Sequence, residues 1–277
     1  MTGNFGARLA DEMTAKCPVC VGIDPHARLL REWGLPDSAD GVREFSRRVV
    51  GELGGRVAAL KPQSAFYERH GSAGIAALEE TLAACRDAGT IAILDVKRGD
   101  IGSTMTAYAE AYLAPGAPLE ADAITLSPFL GVGSLAPAFE LAVAGGKGVF
   151  VLALTSNPEG AAVQHASSGG TSVAAQVCAH AGEVNRPFGP VGPIGLVVGA
   201  TIGPAVAGLG LDLAGTGSIL LAPGVGAQGG TAADLELVFG DAIGRVLASV
   251  SRSVLGAGPR GLAAAAADVA SALRECG

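Results

Sequence analysis

The sequence predicts an α/β protein of the (β/α)8, or TIM, barrel class, and three observations carry that expectation. Eight apolar, β-branched-rich runs recur along the 277 residues, and segments with helical periodicity lie between them. The runs begin about 30 residues apart on average, close to the spacing that eight units in ~250 residues require. They are also continuous and not alternating, as strands covered on both faces must be.

Taken in order, the first run is VCVGID (19–24), and the segment GVREFSRRVVGEL leads from it toward VAALKP (57–62) with apolar positions at helical spacing. GIAALEETLAACRDAG is the next helix, closed by Gly89 ahead of TIAILDVK (90–97). AITLSPF (123–129) and GVFVLALTS (148–156) follow as strands four and five. The stretch from Ser156 to Ile194 is longer than average, and HASSGGTSVAAQVCAHAGEVNR within it reads as one extended helix with its lead-in. IGLVVGAT (194–201), SILLAPGVG (218–226) and AIGRVLASV (242–250) complete the set, with ADLELVFGDA as the last intervening helix. No linker rich in Pro, Gly or Ser splits the chain, so residues 1–277 are expected to form a single domain.

A hydrophobic content of 49% and a mean hydropathy of +0.42 allow a large buried core. The net charge of -7, with no Lys/Arg-rich run, excludes a nucleic-acid or anionic-membrane surface. Any anionic ligand must be held by a few local cations. No apolar stretch is long enough for a signal peptide or a membrane span, so a cytoplasmic enzyme or binding protein is expected. Five scattered cysteines do not make a disulfide framework. Cys17-Pro-Val-Cys20 has redox or zinc spacing, but no second pair follows and Cys20 falls inside a strand pattern, so no metal site is expected.

In a barrel of this class the chemistry collects at the C-terminal ends of the strands. There the sequence places Asp24, Lys61, the cluster Asp95, Lys97 and Asp100, the triplet Thr155-Ser156-Asn157, the loop PGVGAQGG, and Ser251-Arg252-Ser253. Asp95 and Lys97 are two apart on one strand and so face the same way, into the mouth if Val96 meets the helices. With Lys61 and Asp100 they make an alternating set of two ammonium and two carboxylate groups. A purely structural ion pair in a core strand is costly to desolvate, which favours a catalytic reading. A lysine between carboxylates stays charged at neutral pH, suiting a proton donor and not a Schiff-base nucleophile. Arg98-Gly99-Asp100 also spells an adhesion tripeptide, which carries no weight without a secretion signal. PGVGAQGG has the form of a dinucleotide fingerprint, but too little chain follows it for a Rossmann half. The better reading is a phosphate grip, with Gln228 and backbone N–H groups on the loop and Arg252 supplying charge.

Asp95-x-Lys97-x-x-Asp100-Ile101, with Lys61 and Asp24 ending the two preceding strands, resembles the signature of the orotidine 5'-phosphate decarboxylase family, as do PGVGAQGG and the later Arg252-Ser253. The KRGDIGST continuation and the chain length are similar to its longer bacterial, mycobacterial-like (type 2) subgroup. The resemblance implies cofactor-free, metal-free decarboxylation of orotidine 5'-phosphate to uridine 5'-phosphate, the last step of de novo UMP synthesis. It makes Lys97 the proton donor to C6, places Asp95 beside the substrate carboxylate, sets Lys61 at the ribose and in the charge network, and gives Asp24 a ribose hydroxyl. It sends Asp100, Ile101 and Thr104 into the active site of a second subunit, implying a homodimer with shared sites. Ser156 matches the serine that reads the pyrimidine edge, although the family often has His where Asn157 stands. Pro223 joins the substrate contacts, with Gln228 and Arg252 on the 5'-phosphate.

Two rival readings have distinct requirements. A Mg-dependent 3-keto-gulonate 6-phosphate decarboxylase shares the D-x-K-x-x-D arrangement but needs carboxylates free for the metal, and no Glu ends strands one to five. A non-catalytic barrel that binds a phosphorylated ligand needs the phosphate grip but no Lys97 between carboxylates.

Overall fold

The structure, a computed structural model, describes residues 4–225 and 232–274. Eight parallel strands close into a barrel: β1 (Val19–Ile23), β2 (Ala59–Pro62), β3 (Ile91–Arg98), β4 (Ala123–Leu126), β5 (Gly148–Leu154), β6 (Ile194–Val198), β7 (Leu220–Pro223) and β8 (Val246–Val250). Each predicted run supplies one strand. The order around the barrel is β1-β8-β7-β6-β5-β4-β3-β2, and Val21 pairs with both Leu60 and Val250, so the closure joins the two ends of the chain.

The helices among the described residues are α1 (Phe5–Ala15), α2 (Ala27–Glu32), α3 (Ala39–Leu53), α4 (Ala65–Glu68), α5 (Gly71–Asp87), α6 (Gly102–Leu113), α7 (Ala136–Gly145), α8 (Ala161–Gln164), α9 (Val173–Asn185), α10 (Ala205–Gly208), α11 (Ala232–Phe239), α12 (Arg252–Leu255) and α13 (Leu262–Arg274). α3 shows how the sequence specifies one. Ser38 caps its N-terminus by accepting the Gly41 N–H, Asp40 sits in its first turn, and Val42, Phe45, Val49 and Leu53 form the buried stripe. None of these helices is long and apolar enough to cross a membrane.

The pleat sorts the core into two layers. Val19, Val21, Leu60, Leu94, Val96, Ile124 and Leu196 point out and pack with the helices. Cys20, Ala59, Ile93, Ala123, Phe150, Val197, Leu221 and Leu247 point in and fill the barrel. Burial there pushes the Cys20 thiol up to about 12, the reverse of what a redox CxxC thiol requires. The N-terminal end is stoppered by α1, which drives Phe5, Leu9 and Met13 into the same inner cluster, Phe5 edge-on to Phe150 with centroids 6.2 Å apart. Among the described residues, α1 covers this end of the barrel and leaves the C-terminal ends of the strands open.

Two expectations need correction. The eighth run was expected to pair from residue 242, yet Gly240–Arg245 is a 3-10 turn and the strand starts at Val246. Arg245 holds that turn away from the ladder by donating to the carbonyls of Leu213 and Ala214. The expected long helix over 165–186 is a two-stranded hairpin, Ser167–Ser168 against Thr171–Ser172, followed by α9. Gly169 and Gly170 turn the hairpin at φ of 61° and 82°, so the Gly-Gly pair marked a two-residue turn with a short strand on each side.

Candidate active site

Asp95 is the centre of the mouth. Inward alternation along β3 brings it up after Ile91 and Ile93, where it is almost fully buried yet surrounded by donors. Lys61 Nζ, from β2, donates to Oδ2 at 2.6 Å; Lys97 Nζ donates to Oδ1 at 2.5 Å; and Thr125 Oγ1, from β4, donates to Oδ1 at 2.8 Å. With its amide oriented to satisfy both ends, Gln63 adds a donor to Oδ2 at 3.1 Å and one to the Asp95 carbonyl at 2.8 Å. Burial works to raise the Asp95 carboxyl, but Lys61 and Lys97 overcome it and hold the group well below the usual carboxylate range. Burial likewise works to lower the Lys61 ammonium, and Asp95 and Asp24 outweigh it, raising Lys61 above its ordinary value.

The two lysines are not equivalent. The Lys61 side chain is 10% exposed and that of Lys97 is 45% exposed, so Lys97 alone presents its ammonium to the open mouth. Its backbone is unusual too, with φ at +45°, the one non-glycine residue in the left-handed region among the described residues. Arg98, next along, turns outward: its guanidinium pairs with Glu68 at 2.5 Å and lies over the Tyr108 ring at 5.7 Å.

Two cavities open around this cluster and share Lys61, Pro223 and Ser249 in their walls. One, of about 510 Å3, is bounded by Asp95, Lys97, Thr125, Thr155, Asn157 and Gln164. The other, of about 330 Å3, is bounded by Asp24, His26, Phe66, Ser251, Arg252 and Ser253. Larger openings of about 610 Å3 beside α9 and 710 Å3 beside α1 lie away from the strand ends and contain neither lysine of the cluster. Asp24 Oδ1 and Ser253 Oγ are buried without a hydrogen-bond partner, two unmet polar atoms at the wall of the smaller cavity. Gly22 makes room for this arrangement, since a Cβ there would lie 2.0 Å from Ser251 Oγ and 3.1 Å from the Asp24 carboxylate.

The structure thus brings together Asp24, Lys61, Asp95, Lys97, Pro223 and Arg252. It leaves Asp100, Ile101 and Thr104 outside both cavities. Asp100 Oδ1 accepts its neighbour's N–H at 2.8 Å, Ile101 is 61% exposed, and Thr104 is exposed on α6. Ser156 is exposed, close to Gly199, and the larger cavity is lined by its neighbours Thr155 and Asn157. Gln228 lies outside the described residues. Sequence reasoning missed Thr125, Gln63, Ser249 and Gln164. For Thr125 and Ser249 the signal was available, because each is inward-facing at the last turn of its strand by the same alternation that selects Asp95. Glu159 also lines the larger cavity, five residues beyond β5.

The sequence matches the orotidine 5'-phosphate decarboxylase / HUMPS family over residues 18–267. A curated relative from Salinispora arenicola, named orotidine 5'-phosphate decarboxylase, is 57% identical over 257 residues, spanning 92% of this chain and 91% of its own. One of the same name from Streptomyces coelicolor is 56% identical over 256 residues, with the same coverage. A Streptomyces avermitilis crystal structure is similar at a TM-score of 0.93 and 53% identity, over 99% of this chain and 96% of that one. The structure of Leishmania donovani OMP decarboxylase gives a TM-score of 0.78 at 32% identity, over 99% and 98%.

Proposed function

The chain belongs to the orotidine 5'-phosphate decarboxylase / HUMPS family, and from that premise we propose how the residues at its mouth carry out the family's decarboxylation. The reaction converts orotidine 5'-phosphate to uridine 5'-phosphate and carbon dioxide, in pyrimidine nucleotide synthesis. The C6–carboxylate bond breaks, its electron pair stays on C6, and a proton must reach that carbon. The carbanion is of vinyl type, so the site has to stabilise it electrostatically. Lys97 meets that need, being charged, open to the larger cavity, and tethered to Asp95. Its ammonium gives the proton to C6 and is recharged from solvent.

The remaining roles follow from the two cavities. The pyrimidine lies in the larger one, with its C6 carboxylate toward Asp95 and its edge toward the Thr155–Asn157 segment that includes Ser156. The ribose hydroxyls donate to Asp24, whose buried Oδ1 has no other donor among the described residues, and Lys61 lies beside them. The phosphate meets Arg252 and the Pro223–Gly224–Val225 segment at the wall of the smaller cavity, and Gln228 is the further residue that the family resemblance assigns to it. These contacts are remote from C6, so their binding energy is free to close the mouth and exclude water.

The reading extends to assembly and location. A second copy packs on the segment that leads into α6 and on its first turn, where Ile101 and Thr104 are exposed and Asp100 is half-buried, and Phe129 and Leu130, beyond β4, are 75% and 53% exposed. Large exposed apolar side chains such as these suit a surface that a second copy covers. In the homodimer these three residues complete the partner's mouth. The chain acts as one domain, since β1 and β8 must pair to close the barrel, and works in the cytoplasm, where its phosphorylated substrate is retained.

The single observation that carries the proposal is Asp95 gripped on one oxygen by buried Lys61 and on the other by accessible Lys97. The same grip disfavours a Mg-dependent sugar-phosphate decarboxylase, because both Asp95 oxygens already serve ammonium donors. The test is an absorbance assay of orotidine 5'-phosphate in metal-free buffer with EDTA. Decay to uridine 5'-phosphate is expected; no decay rejects the reading, and decay only after Mg2+ is added reinstates the rival.

A further inference from the structure

We propose that Thr125 is a positioning residue for this reaction, one hydroxyl that fixes both the backbone and the ammonium of Lys97; the proposal rests on the reading of Lys97 given above. β3 and β4 pair at Leu94↔Ile124 and next at Arg98↔Leu126, so β3 spends four residues (98 − 94) where β4 spends two (126 − 124). The surplus is the segment holding Asp95, Val96 and Lys97. A bulge of this kind takes N–H groups off the ladder and re-aims the side chains it carries.

The Lys97 N–H is one of those groups, and it donates to Thr125 Oγ1 at 3.0 Å. A threonine hydroxyl has one proton to give, and here it goes to Asp95 Oδ1 at 2.8 Å, the oxygen that also receives Lys97 Nζ. Thr125 therefore closes a ring: backbone of Lys97 to hydroxyl, hydroxyl to carboxylate, carboxylate to the ammonium of Lys97. Only 1% of Thr125 is exposed, so water has no access to replace the hydroxyl. The ring holds Lys97 in its left-handed backbone conformation, which otherwise relaxes. Thr125 also lines the larger cavity, next to the position of the pyrimidine.

The plain alternative is a buried threonine that contributes only to stability. Thr125→Val keeps the shape and removes the hydroxyl, and Thr125→Ser keeps the hydroxyl. For Thr125→Val, kcat is expected to fall about 100-fold, the scale of a displacement of ~1 Å at a reacting group. Affinity for uridine 5'-phosphate should change less than about threefold, since uniform binding is not what is lost. Thr125→Ser should recover kcat to within about threefold, and a crystal structure of Thr125→Val should show Lys97 outside the left-handed region.

A Thr125→Val enzyme with near-normal kcat, a Thr125→Ser enzyme as slow as it, or equal losses of kcat and nucleotide affinity would each overturn the proposal. Should Thr125→Val fail to fold, Thr125→Cys preserves bulk with a weak donor, and normal kcat there is equally fatal. The Lys97 backbone angle is read without turnover. A wild-type protein inactive on orotidine 5'-phosphate defeats the functional reading, whereas an unchanged Lys97 φ in Thr125→Val defeats this one.

Discussion

Lys61 Nζ donates to Asp95 Oδ2 at 2.6 Å from a position where neither side chain is more than a tenth exposed. Removing one member of such a pair strands the other charge in the core, at a cost of about 3–5 kcal/mol. Asp95→Asn is therefore expected to lower unfolding stability on that scale and to abolish turnover, measured by denaturant titration alongside the absorbance assay. Loss of activity with full stability would show that the pair carries none of the fold.

The pH dependence of the same pair has a definite sign. Asp95 is depressed in the fold, so its contribution is complete above the unfolded value of about 4 and disappears as pH falls through its lower folded value. Lys61 is raised, so its contribution is complete below about 10.4 and disappears as pH rises through its higher folded value. The stability gap between wild type and Asp95→Asn should be flat from about pH 5 to 9 and shrink below about pH 4. A gap that widens in acid contradicts the assignment.

Lys97→Ala separates catalysis from binding. With its side chain 45% exposed, Lys97 can be shortened at little cost to the fold, yet in the proposed mechanism it is the proton donor. The expected result is a fall in kcat of about 10³-fold or more, in the range of a lost general acid combined with a lost electrostatic donor. Uridine 5'-phosphate should still bind in a calorimeter. Turnover that survives the change assigns the proton elsewhere.

Arg252 is exposed at the first position of α12, so Arg252→Ala should alter stability by no more than about 0.5 kcal/mol. Losing a charge-assisted hydrogen bond to phosphate should cut kcat/KM about 10- to 100-fold. A thermal melt and a rate measurement on one preparation decide it: parallel losses would mean that Arg252 supports the barrel and not the phosphate.

The proposed sharing of sites between two subunits makes a sharper forecast. Lys97→Ala and Asp100→Asn should each be inactive alone, whereas a mixture allowed to exchange subunits regains about a quarter of wild-type sites, because half the dimers are mixed and each has one intact site. No recovery after exchange has been verified by mass spectrometry would place Asp100 in its own subunit's chemistry or in none.

What the sequence reveals about this site depends on how far alternation can be trusted. Asp95 and Lys97 were legible because they are charged, two apart, and preceded by inward Ile91 and Ile93. Thr125 obeys the same rule but is neutral, and its part in the site depends on a register slip between β3 and β4 that no pattern within one strand encodes. The alternation slips by one where β5 shifts register between Leu152 and Leu154, so Thr155 and Asn157 line the cavity while Ser156 sits beside Gly199. Nothing in the sequence assigns Arg98 a partner, and in the structure it pairs with Glu68 and lies over the Tyr108 ring.

α1 also governs traffic. With Phe5, Leu9 and Met13 wedged into the floor, the barrel is, among the described residues, a vessel open at its C-terminal end. On the proposed mechanism nucleotide and carbon dioxide both pass through that end, so arrival and release share one route. A ligand that seals that rim blocks arrival and departure together.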